Sequence, residues 1–117
     1  MDLYNSVSLK CSKLTTIRYS TSFSLGIKAL AKKFHDPIYS IYGFVRFADE
    51  IVDSFNRSDS TELLREFKRD TYLAISRGIS LNPILQSFQL VVNKYEIEPE
   101  LIESFLESME MDITINS

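Results

Sequence analysis

This chain of 117 residues has one cysteine, one histidine, three glycines, three prolines and no tryptophan. Each scarcity excludes something. Cys11 alone can form no internal disulfide, and one thiol with one imidazole falls far short of a zinc-binding set. Nothing near Cys11 marks a base, so it reads as a small packing residue, and a reducing, cytoplasmic compartment is the expectation. No Gly-rich phosphate loop, no Ser/His/Asp set and no HExxH is present, which removes the usual anchors of hydrolases and nucleotide binders. No apolar run approaches a membrane span, and the N-terminus lacks the charged-then-apolar pattern of a secretory signal. A soluble chain, at most peripheral to a membrane, is expected.

Positive charge is also short. The net charge of -3 argues against a nucleic-acid partner, which would need a strongly basic balance. The imbalance is uneven: residues 1–46 carry seven Lys/Arg against two Asp/Glu, and the remainder six against fourteen. Lys28, Lys32 and Lys33 read either as a solvated helix face or as a contact for anionic headgroups.

What is present is 44% hydrophobic and 12% aromatic, enough for one domain with a core of its own. The stretch His35 to Phe55 is its centre. Asp36 is placed to cap a helix whose first turn holds Pro37. Beyond it nearly every face is apolar, from Ile38 and Tyr39 to Val52 and Phe55, so this helix is expected to be surrounded by protein. Its polar residues are then the informative ones. Tyr42, Arg46, Asp49 and Asp53 follow at steps of four, three and four, which stacks them in one stripe. Ionised side chains are rarely buried without partners, so the stripe must face something polar. Asp49 and Asp53 lie one turn apart, roughly 6 Å along the axis, within reach of the same hard cations. Magnesium takes one or two carboxylates and shares its other positions with water and substrate phosphates, so the pair outlines a diphosphate site. Arg46 fits two roles, since pairing with either aspartate would close the charge account structurally.

Helices are expected on both sides of the centre. A first runs from about Asn5 to Arg18, with Val7, Leu9, Cys11, Leu14 and Ile17 as its apolar members. Ser20-Thr21-Ser22 opens a second through Leu25, Ile27 and Leu30, either as a plain cap or as an anion site of free N–H groups and hydroxyls. After a polar connection over Asn56 to Ser60, Asp59 and Glu62 suggest a capping box. The next helix runs from about Thr61 to Arg77, buries Leu63, Leu64, Phe67, Ala74 and Ile75, and ends at Gly78. Its charges Arg65, Glu66, Lys68, Arg69 and Asp70 read as a solvated face. Asn82-Pro83 and Glu98-Pro99 start two more, with inward stripes Leu85, Phe88, Val92, Tyr95 and Ile102, Phe105, Leu106, Met109, Ile113. The fold class is therefore all-α, a bundle of five or six helices.

These residues carry a resemblance. Ser20-Thr21-Ser22-Phe23, then Leu30, then Tyr39-Ser40-Ile41-Tyr42-Gly43-Phe44-Val45-Arg46-Phe47-Ala48-Asp49-Glu50-Ile51-Val52-Asp53 is similar to the opening of the squalene and phytoene synthase family, which are class I isoprenoid synthases. That opening reads S-x-S-F, a Leu-Pro pair with a following Arg, then Y-x-F-C-R-x-x-D-D-x-x-D. Met109-Glu110-Met111-Asp112 resembles a further family segment. Ala31 stands for the usual Pro, His35 for Arg, Val45 for Cys, and Glu50 for the second Asp, keeping its charge.

The resemblance implies that residues 1–117 are a single all-α domain, the N-terminal part of the isoprenoid synthase fold. It implies that Ser20 and Ser22 lie near a substrate diphosphate, that Phe23 and Tyr42 line the reaction cavity, and that Arg46 holds diphosphate oxygens. Asp49 and Asp53, with Glu50 as a further ligand, would bind magnesium or manganese, and Asp49, Asp53, Arg46 and Tyr42 would form the catalytic set. The implied activity is transfer of a prenyl group, a head-to-head condensation of two prenyl diphosphates through a cyclopropyl intermediate. The leading assignment is geranylgeranyl diphosphate to phytoene, in carotenoid and isoprenoid biosynthesis. The family's second aspartate-rich motif has no counterpart here, so activity of this chain alone is not expected, and uncovered Phe44, Phe88 and Phe105 would drive self-association. Two other readings stand beside it: a catalytically silent module that binds prenyl diphosphate, and a structural, oligomerising helical domain.

Overall fold

A computed structural model describes residues 2–53 and 59–116, with the side chains at 21, 23 and 114–116 outside the description. Phe55 and most of the polar connection expected before residue 60 lie outside the described residues. Six α-helices follow in order: α1 (Leu3–Tyr19), α2 (Thr21–Lys28), α3 (His35–Asp53), α4 (Ser60–Arg77), α5 (Pro83–Tyr95) and α6 (Pro99–Asn116), with a 3-10 turn over Lys32–Phe34. The described residues include no strand, and none of their helices is long and apolar enough to cross a membrane.

Local chemistry sets most helix ends. Asp2 accepts a hydrogen bond from the Asn5 N–H at 2.8 Å and caps α1. The Ser20 carbonyl closes the first turn of α2 by accepting from the Ser24 N–H at 3.0 Å. Gly78, at φ 73°, ends α4 in the left-handed conformation that a Cβ would strain. Asn82 Oδ1 accepts from the N–H groups of Ile84 and Leu85, ahead of Pro83. Two expected caps fail. The 3-10 turn runs directly into α3, which starts two residues early at His35, and Asp36 inside the first turn pairs instead with Lys13 at 3.3 Å. Asp59 takes a conformation, φ -102° and ψ 18°, from which its side chain makes no capping bond. The second helix also stops early, because Ala29 and Leu30 bond back to Gly26 and Ile27 in tighter i→i+3 turns.

α3 is the central element, packed against α1, α4, α5 and α6. Phe44 is its midpoint. Its ring stacks on Phe88 of α5 with centroids 3.8 Å apart, on Phe67 of α4 at 5.3 Å, and meets Phe105 of α6 at 5.8 Å. Leu64, Leu85 and Leu106 close the core around this aromatic centre. The expectation that Phe44, Phe88 and Phe105 would lie uncovered is therefore corrected: the first two are buried and the third half-buried within the chain. Tyr95 departs the other way, exposed past the end of the α5 stripe.

α1 reverses its sequence reading. Val7, Leu14 and Ile17 are exposed, while Ser8, Ser12 and Thr16 have no exposed surface. Hydroxyls at steps of four are small enough to let two backbones approach, and Gly43 of α3 supplies the matching gap: a Cβ there would lie 2.9 Å from the Ser12 Cβ. Thr16 Oγ1 donates back to the Ser12 carbonyl at 2.9 Å, so its burial leaves no orphan. Polar bonds tie α1 and α3 to α5 and to the loop before it. Ser40 and Ser87 hydroxyls meet at 2.6 Å, Gln86 Nε2 donates to Asn5 Oδ1 at 2.8 Å, and the Tyr4 hydroxyl donates to the Ser80 carbonyl.

One expected solvated charge is structural. Lys68 of α4 donates to Glu103 of α6 at 2.8 Å, and the Tyr72 hydroxyl donates to the other oxygen of the same carboxylate. Burial first, and then the Glu103 bond, push the Tyr72 phenol up to about 12.

Candidate active site

Four consecutive turns of α3 carry Tyr42, Arg46, Asp49 and Asp53 along one side of the helix. The stripe was expected to face the interior. It lies instead at a half-buried margin: the Arg46, Asp49 and Glu50 side chains keep 24%, 33% and 21% of their surface, and Asp53 is exposed. A charged stripe stays near water when its own ion pairs do not replace full hydration.

Arg46 is the hub. Its Nη1 lies 3.6 Å from Asp49 Oδ2 and its Nη2 is 3.3 Å from Glu50 Oε2, the i+3 and i+4 neighbours that helix geometry offers. The guanidinium also sits over the Tyr19 ring, 4.5 Å from its centroid. Arg46 Nε is buried and has no partner within the described residues. One N–H of a cation flanked by two carboxylates is thus left to donate, and an anionic oxygen is the acceptor that would suit it.

Tyr19 was not singled out by sequence reasoning. Its hydroxyl bonds to Glu50, and that bond, ahead of burial and the Glu50 charge, raises the phenol above its ordinary value while Arg46 opposes the shift. The ring fixes the end of α1 beside Arg46, which brings the α1–α2 junction to the stripe. Ser20 is half-buried at that junction and Ser22 is exposed on the first turn of α2. The Phe23 side chain lies outside the described residues. Tyr42 is half-buried one turn before Arg46.

Asp49 is held above the ordinary carboxyl range chiefly by burial, with Arg46 pulling it down and the charges of Asp53 and Asp112 pushing it up. Asp112 comes from α6, so the acid-rich margin is built by two helices. No three His, Cys, Asp or Glu side chains among the described residues come together as a ready ion cage. An ion here would rest on Asp49 and Asp53, with Glu50 already engaged by Arg46, and on water or substrate oxygens. That donor set suits magnesium, which keeps several waters and takes one or two carboxylates. Cavities of about 530, 230 and 220 Å³ lie elsewhere, and none has a wall from Tyr42, Arg46, Asp49 or Asp53.

The family described as squalene/phytoene synthase matches residues 16–117. A presqualene diphosphate synthase of Rhodopseudomonas palustris (strain ATCC BAA-98 / CGA009) is 26% identical over 97 residues, which cover 83% of this chain and 34% of that protein. The chain thus spans about a third of the length of the curated relative it matches. No solved structure matches it.

Proposed function

This chain belongs to the squalene/phytoene synthase family, and from that premise we propose that it supplies one wall of a site that condenses two prenyl diphosphates head to head. The reading makes residues 1–117 a single all-α domain, the N-terminal portion of a longer isoprenoid synthase domain. The observation that carries it is one face of α3, where a guanidinium with an unpartnered buried N–H precedes two carboxylates that repel each other and Asp112.

Asp49 and Asp53 would hold magnesium or manganese, with Glu50 joining if it leaves Arg46. When bound, the metal draws negative charge from the diphosphate leaving group. Arg46 donates to diphosphate oxygens through Nε and, as its carboxylate partners turn to the metal, through its other nitrogens. Ser20 and Ser22 add hydroxyl donors from the α1–α2 junction. In this reading Tyr42 would line the reaction cavity, and the family resemblance gives Phe23 the same role, aromatic faces there keeping water from a prenyl cation. Geranylgeranyl diphosphate to phytoene is the leading assignment, and the name of the relative adds presqualene diphosphate as a second product.

The two ion pairs of Arg46 favour a second reading, in which the charges close structurally and the chain binds prenyl diphosphate without turnover or serves as an oligomerising domain. Purified protein incubated with magnesium and either geranylgeranyl or farnesyl diphosphate separates these readings. Diphosphate release with an extractable condensed product supports the synthase, and magnesium-dependent affinity without release supports the silent binder. Neither result leaves the structural domain. Self-association is proposed through exposed Leu3, Leu14, Leu101 and Met111, and light scattering measures it.

A further inference from the structure

The segment from Leu25 to Phe34 is unlike the rest of the surface. Ser24 and Ile27 anchor α2 inward, Ser24 lying 3.4 Å from the Tyr39 hydroxyl. Leu25 and Lys28 of the same helix are exposed. From Lys28 to Phe34 every residue is exposed. Leu25, Leu30 and Phe34 keep 61%, 46% and 48% of their surface, so three large apolar side chains face water within ten residues. Lys28, Lys32 and Lys33 stand between them, and the segment contains no Asp or Glu. The His35 ring bonds to the Leu30 carbonyl at 2.9 Å, which closes the loop on itself, and the Lys33 ammonium lies 5.1 Å over the Phe34 ring. The nearest acid in sequence, Asp36, is paired with Lys13. Lys33 also shares the rim of a cavity of about 230 Å³ with Lys94 and Asp36.

We propose that Leu25 to Phe34 is a docking face for an anionic lipid bilayer, with Leu25, Leu30 and Phe34 entering the headgroup–acyl boundary and Lys28, Lys32 and Lys33 meeting lipid phosphates. A protein partner could cover leucines equally well. The unbroken exposure from Lys28 to Phe34, with three lysines set among apolar side chains, selects a surface that is anionic outside and apolar within. Each lysine near such a surface strengthens partitioning about fivefold, so three together are worth about a hundredfold. The inference stands apart from the proposed reaction.

Co-sedimentation of the full chain with phosphatidylcholine vesicles, with and without phosphatidylglycerol, tests it. The protein should bind the anionic vesicles, release them as salt rises, and ignore pure phosphatidylcholine. Lys28→Gln/Lys32→Gln/Lys33→Gln should weaken binding about a hundredfold. Leu30→Ser/Phe34→Ser should also release the vesicles while the circular dichroism of the fold stays unchanged, because neither side chain is in the core. Binding to neither vesicle, equal binding to both, or wild-type binding by both variants overturns the proposal. So does a Leu30→Ser/Phe34→Ser protein whose mass in solution falls when no lipid is present, since the face would then join two copies of the chain.

Discussion

Gly43 of α3 and Ser12 of α1 approach so closely that a methyl group on Gly43 would lie 2.9 Å from the serine Cβ and 3.0 Å from its Cα. The second contact is backbone, which cannot rotate away. Gly43→Ala should therefore push α1 outward and destabilise the fold by about 1–3 kcal/mol, despite the better helix propensity of alanine. Gly26 is the control: nothing lies within 4 Å of a Cβ there, so Gly26→Ala should stabilise by about 0.5–1 kcal/mol. Chemical denaturation of both variants measures the contrast, and equal effects would remove the close contact as the cause.

Asp49→Asn should lower turnover of the active protein by orders of magnitude while leaving thermal stability unchanged or raised. Burial and two neighbouring acids lift the Asp49 carboxyl above its ordinary range. Its folded form thus holds a proton more tightly than the unfolded chain. The stability from this group is fully present below the ordinary carboxyl value and is lost as pH rises through the raised one. Melting curves from acid to neutral pH should show that decline in the wild type and lack it in Asp49→Asn. A variant that unfolds but keeps specific activity would reverse the assignment.

Arg46→Lys should cost more than its conserved charge suggests. A lysine cannot sit flat over the Tyr19 ring while reaching both Asp49 and Glu50. Magnesium-dependent affinity for a prenyl diphosphate should fall about tenfold or more, as loss of a charge-assisted hydrogen bond predicts. Tyr19→Phe keeps the ring and should preserve that affinity, whereas Tyr19→Ala should not. Calorimetric titration distinguishes the three.

Tyr72→Phe should lower the melting temperature by a few degrees, because it removes the bond that ties α4 to Glu103 of α6. Bonds from Lys68 and Tyr72 hold the Glu103 carboxyl below its ordinary value. Its contribution is present above the ordinary carboxyl range and disappears as pH falls through the lowered value. The Tyr72 phenol, pushed up to about 12, should ionise late in an ultraviolet titration, and Glu103→Gln should bring it down.

Signals confined to a few consecutive residues were legible in the sequence. Asn82-Pro83, Gly78 and Glu98-Pro99 place helix ends through backbone chemistry that no distant contact alters. The α3 stripe was legible for the same reason, since its spacing is a property of one helix. The packing of α1 was not, because hydroxyls at Ser8, Ser12 and Thr16 look like a wet face until Gly43 is set against them. Tyr19 over Arg46 and Lys68 against Glu103 join residues far apart in the chain, and periodicity within one helix carries no information about such pairs. Asp36 shows the limit of local reasoning itself, a good capping residue drawn instead to Lys13.

The hydroxyl-lined seat of α1 also bears on the order in which the molecule assembles. Serines and a threonine bury little hydrocarbon, so α1 gains far less on docking than the helices that share the aromatic centre. Its amides should exchange with solvent deuterium earlier than those of α3 and α5, through an opening that leaves Phe44 and Phe88 stacked. α1 would then settle after α3 and α5, waiting for Ser80 and Gln86 to take their places before Tyr4 and Asn5 can bond to them.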